Sequence, residues 1–383
     1  MSDGRQRRRA KQARRDARRM TKRDNKTTGD TTLRDIVRSA LGRGHPLHLL
    51  SVAGLIIHMA KPDPLAFLKS RQRDTLHLDQ LVTNLIGVRN RETTALLAVL
   101  AELLVDDPAP QLRCRHELAQ RDDHLPLWLT ALPQLNVYRA VRRTHVLGEV
   151  DELVIGTRLK EGHEMTIAVT IDHNDVSVVA DAVAVQDSID KALARAAEFS
   201  TDTSVVEISP ADARASIEHA LARQAFAPQT ETWKFHGAVA QWLVAQLPEG
   251  GECRSPAWDW KQTKELCDAF FASPLAAPFR EISHGELLAE LLDTGTGDPL
   301  RWSGARVERA LDDPSEYGDR MPVEVALDAP DLLRAFIPYA HAQSGIREGL
   351  TARALAVIDE LRSRYKREVL RQEQSRWLDD EAV

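Results

Sequence analysis

Apolar positions recur every three or four residues through the first third of the chain. Leu33, Ile36, Val37 and Leu41 keep the 3.6-residue period of an amphipathic helix, and Gly42 with Gly44 marks its end. The pattern continues over 47–60 and 79–105, the second stretch breaking at Gly87-Val88-Arg89-Asn90 with Thr93 or Thr94 as a fresh N-cap. A loop is predicted at 106–110. The apolar faces (Leu81, Leu85 and Ile86 on one helix, Leu96, Leu97, Leu100, Leu103 and Leu104 on the next) should pack together.

Near Val137 the period changes from 3.6 to 2. Segments 138–147, 152–159, 165–171 and 176–182 are rich in Val, Ile and Thr, and the connections 148–151, 160–163 and 172–175 are short. Connections of that length join antiparallel neighbours, so a meander is predicted. A helix over 188–199, a strand over 204–208 and a helix opening at Ser209-Pro210 follow, with Pro at N1 and Asp212 in the first turn.

From Thr230 helical spacing returns. Trp233, Phe235, Val239, Trp242 and Leu243 belong to one helix, and further helices are predicted over 258–271, 286–292 and 351–377. Leu355, Ile358, Leu361, Tyr365 and Val369 line one side of the last. Residues 322–327 read as an isolated strand or extended linker between Pro314 and Pro330. The expected fold is α+β and mainly helical, without an internal repeat. Its parts are a disordered basic arm (1–30), an all-α domain (31–136), an α+β domain with an antiparallel meander (137–228) and a mainly helical C-terminal domain (229–383).

Composition narrows the class without naming an activity. The 383 residues are 43% hydrophobic and 28% charged, with 19 Gly, 18 Pro and 3 Cys, which excludes a collagenous chain, a disulfide scaffold and a wholly disordered protein. Cys114, Cys253 and Cys267 form no C-x-x-C pair, so no zinc ribbon is expected, and a reducing cytoplasm suits them. The basic N-terminus lacks the apolar run of a secretory signal. The most apolar window, 47–60, is interrupted by His48, Ser51 and His58 and falls short of the ~20 residues that cross a bilayer.

Charge changes the picture. The overall net of −6 hides an asymmetry, since residues 1–26 hold twelve Lys or Arg against Asp3, Asp16 and Asp24, a net of +9. Subtracting these from the totals of 51 basic and 57 acidic residues leaves 39 and 54, a net of −15 for the remainder. Arg5, Arg7, Arg8, Arg9, Lys11, Arg14, Arg15, Arg18, Arg19, Lys22 and Arg23 are spaced by Ala, Gln and polar residues, with almost no large apolar side chain that could build a core. On a helix, Arg7, Lys11, Arg14, Arg15, Arg18 and Lys22 share one face. Guanidinium forks bind phosphate oxygens and release condensed counterions, so the expected partner is nucleic acid, DNA or structured RNA including ribosomal RNA. A solubilising tail, or an arm folded onto the acidic body, is the bland alternative. Anionic membrane fits less well, because no Leu, Phe or Trp in the first 30 residues supplies an apolar face.

The meander, especially 166–182 with Ile171-Asp172-His173-Asn174 at its turn, and the run Leu266-Cys267-Asp268-Ala269-Phe270-Phe271 resemble stretches of actinobacterial proteins to which no activity is assigned. The resemblance spans roughly a third of the chain and implies a bacterial cytoplasmic α+β protein. The Arg and Ala bias agrees with a GC-rich genome.

Candidate chemistry is sparse. Asp293-Thr294-Gly295-Thr296 spells an aspartic-protease signature, but the Leu spacing before it is helical, Gly295 suits a helix C-cap, and no second such loop supplies the partner acid. Gly295-Thr296-Gly297 lacks the third Gly of a nucleotide fingerprint. Asp172-His173-Asn174-Asp175 places carboxylates, an imidazole and an amide together. That suits acid–base work, with Asp172 and His173 as candidate catalytic residues, and equally suits a tight turn. His45, His48 and His58 lack a nearby acid, His116-Glu117 lacks a second His, and 313–324 puts Pro314 and Tyr317 where a calcium loop needs turn and ligand positions. Trp233-Lys234-Phe235-His236 and Trp258-Asp259-Trp260-Lys261 interleave aromatics with charge, fit either for stacking bases or for a core. The sequence therefore favours a protein without its own catalysis, cofactor or metal, which binds nucleic acid or a ribonucleoprotein through its arm and uses the body as a platform for protein partners. The rival is an enzyme with a divergent site near Asp172 and His173.

Overall fold

A computed structural model describes residues 32–61, 77–174, 176–199, 202–224, 226, 228, 230–253, 259–314 and 321–380. The arm with all eleven of its named basic residues lies outside them. The chain begins with helices α1 (Leu33–Gly42), α2 (Pro46–Ala60), α3 (Leu78–Gly87), α4 (Arg91–Leu103), α5 (Pro108–Leu118) and the single turn α6 (Leu127–Thr130). Thr32 caps α1 by accepting from Asp35 N, and Pro46 occupies the first turn of α2, where its missing N–H costs nothing. At the predicted break the cap is Asn90 instead of Thr93 or Thr94. Asn90 Oδ1 accepts from Thr93 N at 2.9 Å, and Thr93 Oγ1 meets Asn90 N at 3.3 Å, a reciprocal box that satisfies two orphan donors. Helix α5 starts inside the predicted loop, because Pro108 is the pre-set first residue of a helix as well as a loop residue. The buried Arg121 ties the bundle, donating to the last carbonyls of α3 (Leu85 and Ile86, at 3.0 and 3.1 Å), to Thr93 and Thr94, and to Glu117.

The meander forms as predicted: β1 (Asn136–His145), β2 (Val150–Arg158), β3 (Glu164–Asp172) and β4 (Val178–Val185) pair successively antiparallel. After α7 (Ile189–Phe199), β5 (Thr203–Ile208) returns to the free side of β1, giving the order β4-β3-β2-β1-β5. Helix α7 covers one face through Ile189 against Val141 and Val154, and Ile189 N donates to Tyr138 Oη at 3.1 Å. On the other face Leu153, Ile155, Ile167 and Val169 join the helical bundle, with α8 (Pro210–Ala222) and α9 (Glu231–Gln246) packed on it. Ser209 and Pro210 open α8 as expected. One continuous core therefore runs from Val37 to Leu247 and includes bundle, sheet and α9.

A second core, from Phe270 to Val369, is built by α10 (Trp260–Phe271), α11 (Ile282–Leu292), α12 (Gly304–Ala310), α13 (Val323–Ala326), α14 (Ala329–Ser344) and α15 (Glu348–Asp380). The segment predicted as strand or linker at 322–327 is the turn of helix α13, because burial of Val325 and Ala326 overrides local propensity. Helix α14 contains Pro338 and ends at Gly345, whose φ of 67° supplies the left-handed cap. Helix α15, of 33 residues and about 50 Å, is held by Ile358, Tyr365 and Val369, and Tyr365 Oη donates to Ala326 O at 3.1 Å. Among the described residues, no helix is long and apolar enough to cross a membrane. The mainly helical α+β class expected from the pattern is the observed one.

Candidate functional site

Register brings polar side chains together at one end of the sheet. Pairing β1 with β2 sets Thr144 opposite Asp151, and pairing β2 with β3 sets Asp151 opposite Ile171, so the β3–β4 turn emerges beside Asp151. Thr144 Oγ1 donates to Asp151 Oδ1 at 2.5 Å, and His173 Nε2 lies 3.2 Å from Asp151 Oδ2. The other ring nitrogen, His173 Nδ1, is 2.9 Å from Ser177 Oγ. Arg142 Nε stands 3.6 Å from Asp151 Oδ2, while Arg142 Nη2 donates to Ser216 Oγ on α8 at 3.2 Å. Backbone anchors the imidazole, since His173 N donates to Glu149 O at 2.7 Å. Burial acts to raise the Asp151 carboxyl, yet hydrogen bonds from His173 and Thr144 and the charge of Arg142 leave it below the ordinary carboxylate range. A cavity of about 10 Å³, room for one water, is lined by Asp151, His173, Ser177, Ser216, His219 and Cys253 among others.

The two residues singled out in the sequence part company here. Asp172 Oδ1 accepts from Asn174 N at 2.8 Å, the side-chain turn that Asp makes readily, and takes no part in the cluster. His173 turns into it. Its partners, Asp151 and Ser177, lie 22 residues before it and four after; their only sequence signal was a place beside the turns at 148–151 and 172–175. Asp175 lies outside the described residues.

A second buried polar group sits where the sheet end meets the C-terminal helices. Glu149 and Asn174 face Ser303 and Arg306 on the α12 side, and Arg309 donates to Asn174 O. Among the described residues, the buried atoms Glu149 Oε1, Asn174 Oδ1 and Arg306 Nε find no hydrogen-bond partner. Burial pushes the Glu149 carboxyl above its ordinary range, with Ser303, Arg306 and Asn174 offsetting only part of the effect. A raised folded-state value means that the folded protein holds a proton that the unfolded chain releases first. This contribution to stability is complete below the ordinary carboxylate range and is lost as pH rises through the folded value. Glu149→Gln removes that dependence. Its stability relative to wild type is expected to improve from about pH 4.5 to 7.5, read by urea unfolding at both; an unchanged difference would place Glu149 in a water-like setting.

The remaining sequence candidates fall into structural roles. His45 caps α2 through Nδ1, accepting from Leu47 N at 3.2 Å, and its Nε2 lies 3.0 Å from Glu164 O; His48 meets Gln186, and His116 meets Gln120 at 2.9 Å. Among the described residues, no group of three or more His, Cys, Asp or Glu is placed to hold a metal. Asp293 caps the C-terminus of α11, and Gly295 follows at φ 63°, so the protease-like sequence is a helix end. Trp233 is core, His236 Nδ1 accepts from Ala184 N at 3.2 Å, and Trp260 is 67% exposed; Trp258 and 315–320 lie outside the described residues. Burial pushes the thiols of Cys114 and Cys267 up to about 11, which keeps both protonated and unreactive. No protein-family model, curated protein or solved structure matches the chain.

Proposed function

We propose that this is a cytoplasmic binding protein of nucleic acid or of a ribonucleoprotein, with phosphate contacts supplied by the Arg-rich residues 1–26 and protein contacts by the folded body. The observation that carries this reading is the separation of charge, +9 over the first 26 residues against −15 over the rest. At long range the body repels a polyanion, so affinity has to come from the segment of opposite sign. The body's own guanidinium groups support this division of labour, because many already serve carboxylates. Arg38 bonds Glu92, Arg139 bonds Glu207, Arg143 bonds Glu152, Arg347 bonds Asp202 and Arg364 bonds Asp312. Phosphate would have to displace those partners. The unpaired state of Cys114, Cys253 and Cys267 suits a reducing compartment.

The test compares the full chain with a chain lacking residues 1–26 on duplex DNA, structured RNA and anionic vesicles between about 50 and 200 mM salt. Deletion is expected to weaken nucleic-acid binding at least about tenfold at low salt. On DNA, the log–log salt slope should become shallower by about 0.9 for each phosphate that the arm neutralises. Equal binding by the two chains, or tighter arm-dependent binding to vesicles than to either nucleic acid, overturns the reading. The ratio of RNA to DNA affinity then names the polymer.

A further inference from the structure

We propose that Asp151, His173 and Ser177 form a nucleophilic relay that hydrolyses carboxylic esters. The chain of contacts has the polarity that acyl transfer requires. Asp151 accepts from Thr144 on one oxygen and lies 3.2 Å from His173 Nε2 on the other. An ionised carboxylate only accepts, so the imidazole proton sits on Nε2 and the Nδ1 lone pair faces outward. Ser177 Oγ, 2.9 Å from Nδ1, donates to that lone pair. A hydroxyl is a poor nucleophile until an adjacent base takes its proton, and a third group must hold that base in the right tautomer. Each role has an occupant here. The ring nitrogens are used in the reverse sense of the familiar serine relay, with serine on Nδ1 and carboxylate on Nε2; the proton inventory is the same.

The backbone at the nucleophile supports the assignment independently. Val176 and Ser177 have φ of 48° and 58°, a left-handed region that β-branched residues in particular avoid, while glycine or asparagine would serve a plain turn at less cost. Strain of this kind persists where surrounding structure over-determines it, and it gathers at sites held in one working geometry. Val176 is 65% exposed and Ser177 half-buried, so the turn that carries the serine borders solvent. The recess behind it holds only a water-sized group, so an ester has to reach the serine from the open side.

The reaction balances without a further reactant. Ser177 Oγ attacks the ester carbonyl and gives its proton to His173 Nδ1. The bond from carbonyl carbon to alkoxy oxygen breaks, and the leaving alcohol takes that proton. Water then attacks the acyl-serine, His173 Nδ1 accepts a water proton, the bond between Ser177 Oγ and the acyl carbon breaks, and Ser177 recovers its hydrogen. Ester and water become acid and alcohol. Asp151 touches no reacting atom and acts as a positioning residue. None of these residues belongs to the Arg-rich segment, so this activity and nucleic-acid binding succeed or fail separately.

The experiment treats the full chain with a fluorophosphonate, which forms an oxygen–phosphorus bond with an activated serine and releases fluoride, and locates the added mass by peptide mass spectrometry. Release of nitrophenolate from p-nitrophenyl acetate is followed in parallel. Labelling at Ser177 is expected, lost in Ser177→Ala and slowed at least about 100-fold in Asp151→Asn. The loss in Asp151→Asn should fall on the labelling rate at saturating probe and leave the half-saturating probe concentration unchanged, a split that a merely structural carboxylate would not produce. Asp151 also anchors Thr144, so folding of that variant is checked by circular dichroism; Ser177→Ala, at a half-buried turn, decides the matter alone if Asp151→Asn fails to fold. An unlabelled wild type, a label elsewhere such as Ser216 or Cys253, or equal ester turnover in wild type and Ser177→Ala overturns the proposal.

Discussion

Arg306→Met is expected to destabilise the C-terminal helical unit by about 3–5 kcal/mol, the range for breaking a buried charged network by removing one partner. Arg306, on α12, is fully buried, and its guanidinium carbon lies 4.1 Å from the centre of the Trp302 ring. It donates to three main-chain carbonyls: Asp298 O, Arg301 O at 2.8 Å and Leu292 O at 2.8 Å. Leu292 ends α11, so its carbonyl is one of the acceptors that a helix cannot satisfy itself, and the other two belong to the loop leading to α12. Burial lowers the guanidinium to about 10, with Asp298 and Glu149 opposing the shift, and it stays charged at neutral pH. Methionine refills much of the volume but leaves Leu292 O and Arg301 O without the donor that serves them, at about 1–3 kcal/mol each, while Asp298 O keeps only its bond from Arg301 N at 3.4 Å. Arg306→Lys keeps the charge without the fork and is expected to fall between the two. Hydrogen exchange of the amides from α11 to α14, measured alongside urea unfolding, separates this unit from the first core; a loss below about 1 kcal/mol would show that water reaches these carbonyls.

Arg306 also shows where sequence reading stops. An arginine on a short amphipathic helix reads as solvent-facing, since arginine is almost never fully buried without partners, and here the partners are carbonyls of a loop that carries no local pattern. Strands β1 to β4 were legible because alternation and short turns are local signals. Helix α14 was not: Pro330 stood only as the flank of an extended segment, yet it lies in the opening turn, where no N–H is needed, and Pro338 inside the helix is carried by burial of Phe336, Ile337 and Ala340 around it. Helix α9 was grouped with the C-terminal region by its period, but its Val239, Trp242 and Leu243 join the core of the bundle and sheet. The cluster of Asp151, His173 and Ser177 depends on which residues face each other across paired strands. That is a property of register, and periodicity within one strand does not contain it. The turn at Asp172 and His173 was visible as chemistry; the division of its side chains, one bonded to its own backbone and one aimed at the neighbouring strand, was not.

Gly54→Ala is expected to lower stability by about 2 kcal/mol or more, although alanine is intrinsically favoured over glycine in a helix by about 1 kcal/mol. Gly54 lies in α2 where it crosses α9, and a Cβ built on it would stand 2.2 Å from Phe235 O and 3.1 Å from Phe235 C. The obstacle is main chain, so no rotamer change relieves it and the two helices have to part. Parting them loosens Leu49, Leu50, Ala53, Ile56 and Ile57 on one side and Val239, Ala240, Trp242 and Leu243 on the other, which share a single core. Gly285→Ala provides the opposite sign from the same chemistry. Gly285 sits inside α11 with nothing within 4 Å of its Cβ position and no positive φ, so alanine there should stabilise by about 0.5–1 kcal/mol through helix propensity and reduced freedom of the unfolded chain. Urea unfolding of the two variants beside wild type tests the pair. If Gly54→Ala matches or exceeds the stability of Gly285→Ala, the close approach of α2 and α9 is wrong; if it falls below wild type while Gly285→Ala rises above, the glycine is what lets the bundle seat against the sheet.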